Sequence, residues 1–61
     1  MMYNENEILA IHQAVVVLEN RVSEGDAIDR PEILRELAMR DIHNPSEELI
    51  EEIMNDLVQF D

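Results

Sequence analysis

Asn44-Pro45-Ser46-Glu47-Glu48-Leu49-Ile50-Glu51-Glu52-Ile53-Met54-Asn55-Asp56-Leu57-Val58 carries a helix start signal and two opposed helix faces in one stretch. Asn44 reads as an N-cap. Pro45 reads as the first helical residue, where a missing N–H costs nothing, and Glu47 as the acidic residue of the first turn. Behind them Leu49, Ile50, Ile53, Met54, Leu57 and Val58 recur as adjacent pairs every four residues, a broad apolar stripe at the helical period. Glu47, Glu48, Glu51, Glu52, Asn55, Asp56 and Gln59 fall on the other side. Phe60 is expected to close the far end of the stripe.

The same chemistry recurs upstream. In Asp29-Arg30-Pro31-Glu32 the aspartate reads as an N-cap, with proline in the first turn and a glutamate placed for the positive end of the helix dipole. Ile33, Leu34, Leu37 and Ala38 form the expected buried face, leaving Arg35, Glu36 and Arg40 to solvent. Ser23 to Ile28 reads as a turn, with Gly25 free to take a positive φ. Before it, Asn4 and Glu7 form a capping-box pair ahead of a long helix. Ile8, Ile11, Val15, Leu18 and Val22 give its main stripe, flanked by Leu9 and Val16 on one side and Ala10, Ala14 and Val17 on the other. Three consecutive valines are poor helix formers, so packing must hold that stretch helical.

The expected fold is an all-α three-helix bundle in a single domain, residues 1–61. Its helices span about 5–22, 30–41 and 45–60: a long first, a short second and an acidic amphipathic third. The apolar arc of the first helix is wider than its neighbours can easily cover, which predicts a homodimer built through Val15, Val16 and Leu18.

Composition narrows function by exclusion. The chain has 61 residues and a net charge of −11, from fifteen acidic residues against four arginines. So small a body leaves little room for a shielded catalytic cleft, so an enzyme is not expected. Direct binding to nucleic acid or to anionic membrane needs a basic surface that this chain does not supply. The absence of cysteine removes disulfides and thiolate chemistry. No cofactor or metal is expected: His12 and His43 sit in no ligand-spaced motif, and Glu24-Gly25-Asp26 lacks the spacing of a calcium loop. Ser23 and Ser46 fall at turn and cap positions, outside any nucleophilic constellation. The longest wholly apolar run is Ala14 to Leu18, too short for a membrane span or a signal sequence, and the expected compartment is the cytoplasm.

Leu18-Glu19-Asn20-Arg21-Val22, a turn, and then Pro31-Glu32 opening a helix resemble the helical stretch that precedes the metalloprotease-like domain of RadC-type proteins. The likeness covers about half of the chain. That family's metal-binding histidines have no counterpart here, so the resemblance implies no activity.

The charge is uneven. From Ile42 onward there are six acids and no basic residue. Glu47/Glu51, Glu48/Glu52 and Glu52/Asp56 are like-charged pairs at i,i+4, an arrangement that together costs on the order of 1 kcal/mol. Glu47, Glu48, Glu51, Glu52 and Asp56 are therefore the candidate partner-binding residues. Carboxylates one helical turn apart, about 5.4 Å, approximate the spacing of neighbouring phosphates on a nucleic-acid strand. The leading expectation is a non-enzymatic binding protein that inhibits a nucleic-acid-binding protein by DNA mimicry. In size and charge it resembles the small acidic inhibitors of phages and mobile elements. The alternative is a structural or regulatory helical adaptor that binds through apolar surface, its acidity serving solubility.

Overall fold

In a computed structural model that describes residues 3–60, with the side chains of Gln59 and Phe60 outside the description, three helices follow in order. They are α1 (Glu5–Ser23), α2 (Arg30–Ala38) and α3 (Glu47–Phe60), with no strand among the described residues. Each helix packs on both others. The radius of gyration, 10.9 Å, is close to the roughly 10.5 Å expected of a chain this long folded on itself. The expected role of Phe60 at the far end of α3 lies outside the described side chains.

Local chemistry sets the ends of α1. The Asn4 side chain accepts the Glu7 backbone N–H at 2.8 Å, and the Glu7 carboxylate accepts the Asn4 N–H at 3.0 Å, closing the capping box. At the other end Gly25 adopts φ 99°. This lets its N–H reach the Val22 carbonyl and the Asp26 N–H reach the Arg21 carbonyl, both at 3.0 Å, which is a Schellman ending.

Asp29 caps α2 as expected, accepting the Glu32 N–H at 3.4 Å. The regular pattern stops at Ala38, short of the expected 41. The last turn instead tightens, with Arg40 N–H to Leu37 and Asp41 N–H to Ala38, each 3.0 Å. Asp41 takes the left-handed conformation at φ 66°, and the Ile42 N–H returns to the Leu37 carbonyl at 2.9 Å. This second Schellman ending turns Ile42 inward, where it is buried.

The start of α3 differs from the local reading. Ser46, not Asn44, caps it: its hydroxyl accepts the Leu49 N–H at 3.2 Å, and Pro45 lies ahead of the helix. The backbone N–H of Ser46 donates to the Tyr3 hydroxyl at 3.1 Å. That tertiary contact favours the serine over the asparagine two residues earlier.

Ala14 and Leu18 from α1, Ile33 and Leu37 from α2, Ile42, and Ile53 and Leu57 from α3 form the core cluster. Ala14, expected on a flank, is fully buried, while Ile8 at the head of the expected stripe is 56% exposed. Two helices pack on α1, so its buried centre turns toward the small alanine that lets them approach. On α3 the stripe is narrower than its spacing suggests: Ile50, Ile53 and Leu57 are buried, whereas Met54 and Val58 face outward.

Candidate functional site

The arginines show which acids are neutralised within the fold. Arg21 projects from α1 toward α2, where its Nη1 donates to Glu32 at 2.9 Å and lies 3.7 Å from Glu36. Its Nε reaches Asp26 at 3.4 Å. The Glu32 contact is the main reason the guanidinium pKa is raised above its ordinary value, aided by Asp26. Arg40 donates to both the carboxylate and the backbone carbonyl of Glu36, at 3.0 and 2.9 Å. Glu36, expected in solvent, is therefore buried between two arginines. The spacing Ile33, Glu36, Leu37, Arg40 places it on the inward face of α2, a signal present in the sequence that the charge of Glu36 masks.

Arg30 pairs with Glu47 across the α2–α3 junction. The hydrogen bond from Arg30 holds the Glu47 carboxyl below the ordinary carboxylate range, and raises the arginine in turn. Of the five acids expected to meet a partner, Glu47 is thus engaged within the chain. Glu48, Glu51, Glu52 and Asp56 are exposed, and among the described residues none forms a salt bridge.

Glu48 and Glu52 also share a shallow recess with Tyr3, Ser46 and Leu49, about 190 Å³ in volume. The hydrogen bond that holds Tyr3 to the start of α3 makes the phenol part of this wall. Two carboxylates beside a phenol and an apolar leucine suit the end and the stem of a lysine or arginine side chain. Tyr3 was not foreseen here, because no local pattern links residue 3 to residue 46.

The expected dimer residues separate. Leu18 is fully buried within the single chain, so it has no surface to offer a second copy. Val15 is half-buried against the core, and Val16 is 41% exposed. Val16 shares the outer side of α1 with Leu9, and Ile8 lies nearer the core edge; the latter two are 57% and 56% exposed. From Ile8 to Leu18 there is no charged residue.

Among the described residues no group of three His, Cys, Asp or Glu gathers as a metal set. No described helix is long and apolar enough to cross a membrane. His12 is exposed on α1, and His43 sits in the loop before α3 with its Nε2 3.6 Å from Asp41. No family model, curated protein sequence or solved structure matches this chain.

Proposed function

We propose that this protein is a non-enzymatic protein-binding module that meets a basic surface through the face of α3 bearing Glu48, Glu51, Glu52 and Asp56. One observation carries the reading. Arg21, Arg30 and Arg40 are taken up by other acids, while Glu48 and Glu52 flank a recess with no counterion among the described residues. Glu48, Glu52 and Asp56 succeed one another at single helical turns, so the column offers a nucleic-acid-binding groove a row of negative charges in place of phosphates. The finer reading is inhibition by DNA mimicry, of the kind mobile elements direct at nucleic-acid-handling proteins, in the cytoplasm.

The test is competition. Proteins retained by the immobilised chain at low salt are mixed with labelled duplex DNA, and release of the duplex is followed by fluorescence anisotropy. The chain displaces the duplex, less well as salt rises from about 50 to 200 mM. Glu48→Lys with Glu52→Lys abolishes displacement while far-UV helicity stays intact. Retained displacement by that variant rejects the reading.

Exposed Ile8, Leu9 and Val16 support a second reading, association through apolar surface. The homodimer belongs here, with its contact moved from Leu18 to the outer face of α1. Two bodies of net charge −11 repel, and Ile8 to Leu18 is a stretch where a second copy meets no carboxylate. Self-association then strengthens with salt, the opposite of the α3 interaction. Sedimentation at micromolar concentration distinguishes the two, and a monomer at all salt concentrations removes the dimer.

A further inference from the structure

At the end of the bundle opposite the Tyr3 contact, the α1–α2 turn and the last turns of α3 enclose an open groove of about 310 Å³. Its walls are Val22, Ala27, Ile28, Met54, Leu57 and Val58. Val58 is 75% exposed and Met54 38%, so one wall is large apolar surface that the described residues leave uncovered. Met54 and Val58 lie roughly a third of a turn around α3 from Glu48 and Glu52, so the groove and the acidic recess are separate surfaces.

The groove's surroundings state what fits it. Asp26 lies on its rim with a half-exposed carboxylate, engaged among the described residues through Oδ2 by Arg21 at 3.4 Å, and exposed Glu24 stands two residues earlier in the same turn. The last turn of α3, whose Leu57 and Val58 form the opposite wall, holds no basic residue. That end therefore carries the negative pole of the helix dipole with no basic side chain in the turn to offset it. A small polar ligand finds no fixed partner, since no buried side-chain N or O lacks a hydrogen bond among the described residues. A second copy docked groove to groove brings Asp26 and the α3 end against their own kind. We infer that the groove docks a protein segment that inserts one or two large aliphatic side chains and flanks them with lysine or arginine. The apolar walls take the aliphatic groups, and Asp26 and the α3 end take the cations.

This is independent of the α3 acidic face, and the experiment keeps the two apart. The isotopically labelled full chain is titrated with an amidated helical peptide bearing two leucines at i,i+4 between pairs of lysines, and methyl and amide resonances are followed by NMR. One control peptide carries serine for leucine, the other glutamate for lysine. The expected result is perturbation centred on Val22, Ile28, Met54 and Val58, with affinity at least tenfold weaker for either control. Val58→Ser and Met54→Gln, both at exposed positions where far-UV circular dichroism confirms the fold, each weaken binding severalfold. Glu48→Lys with Glu52→Lys leaves the groove perturbations in place. Absence of binding, equal binding of a control peptide, indifference to Val58→Ser and Met54→Gln, or perturbations centred on the Glu48/Glu52 recess or on α1 overturns the inference.

Discussion

The hydroxyl of Tyr3 accepts the backbone N–H of Ser46 at 3.1 Å, tying the residue just ahead of α1 to the cap of α3 across 43 positions of sequence. An N–H at a helix start has no intrahelical partner, and this one is partly buried, so losing its acceptor leaves a donor poorly served by water. Tyr3→Phe keeps the ring and removes the acceptor. It is expected to lower stability by about 1–2 kcal/mol in urea unfolding. Amide exchange should quicken in the first turn of α3 while α2 is unaffected.

Glu36 ties α2 to α1, receiving Arg40 at 3.0 Å and lying 3.7 Å from Arg21. Glu36→Gln retains size but weakens charge-assisted bonds in a nearly enclosed place. The expected loss is about 1–2 kcal/mol of stability, read as a lower denaturant midpoint at unchanged slope. A change within error would show that Arg40 and Arg21 are equally well served by solvent.

The Arg30–Glu47 pair makes a pH prediction with a definite sign. Because the folded Glu47 carboxyl is held below its ordinary value of 4.5, the pair's contribution is fully present above that value and is lost as pH falls through the lowered one. In Arg30→Gln the Glu47 titration, followed by carboxyl NMR, moves upward, and this part of the acid-limb dependence disappears. Salt reduces the difference, as it must for an exposed pair.

Two left-handed residues give opposite expectations for apparently similar edits. Gly25 at φ 99° has nothing within 4 Å of an added Cβ, so Gly25→Ala meets no steric wall and only the backbone strain remains. It is expected to cost about 1–2 kcal/mol. Asp41 at φ 66° already bears that strain and adds a negative charge at a helix end that favours cations. Asp41→Gly is expected to stabilise by about 1 kcal/mol, raising the melting temperature by roughly 4–8 °C.

The class of fold, the three helices and most ends were readable because caps and periodicity are local. Asn4 with Glu7, Asp29, and Gly25 each act within a few residues, and each stands where the spacing places it. Most departures came from contacts between distant segments, though the early end of α2 and the Arg40 contact of Glu36 are local. Tyr3 fixed Ser46 as the α3 cap, Arg21 and Arg40 drew Glu36 inward, and packing against two helices buried Ala14 while leaving Ile8 outside. Within the acidic face, the column Glu48, Glu52 and Asp56 was legible from spacing alone. The capture of Glu47 by Arg30 was not, since seventeen residues separate them.

The position of Tyr3 also bears on how this protein is handled at the bench. Its side chain lines the recess of Glu48 and Glu52, so a tag fused at the N-terminus is tethered through residue 3, about a tyrosine's length from those carboxylates. A polyhistidine tag placed there becomes cationic in mildly acidic buffer and offers itself to the recess as a tethered competitor, at an effective concentration that short flexible linkers bring into the millimolar range. Purification handles for binding studies belong elsewhere, or must be cleaved before the first titration.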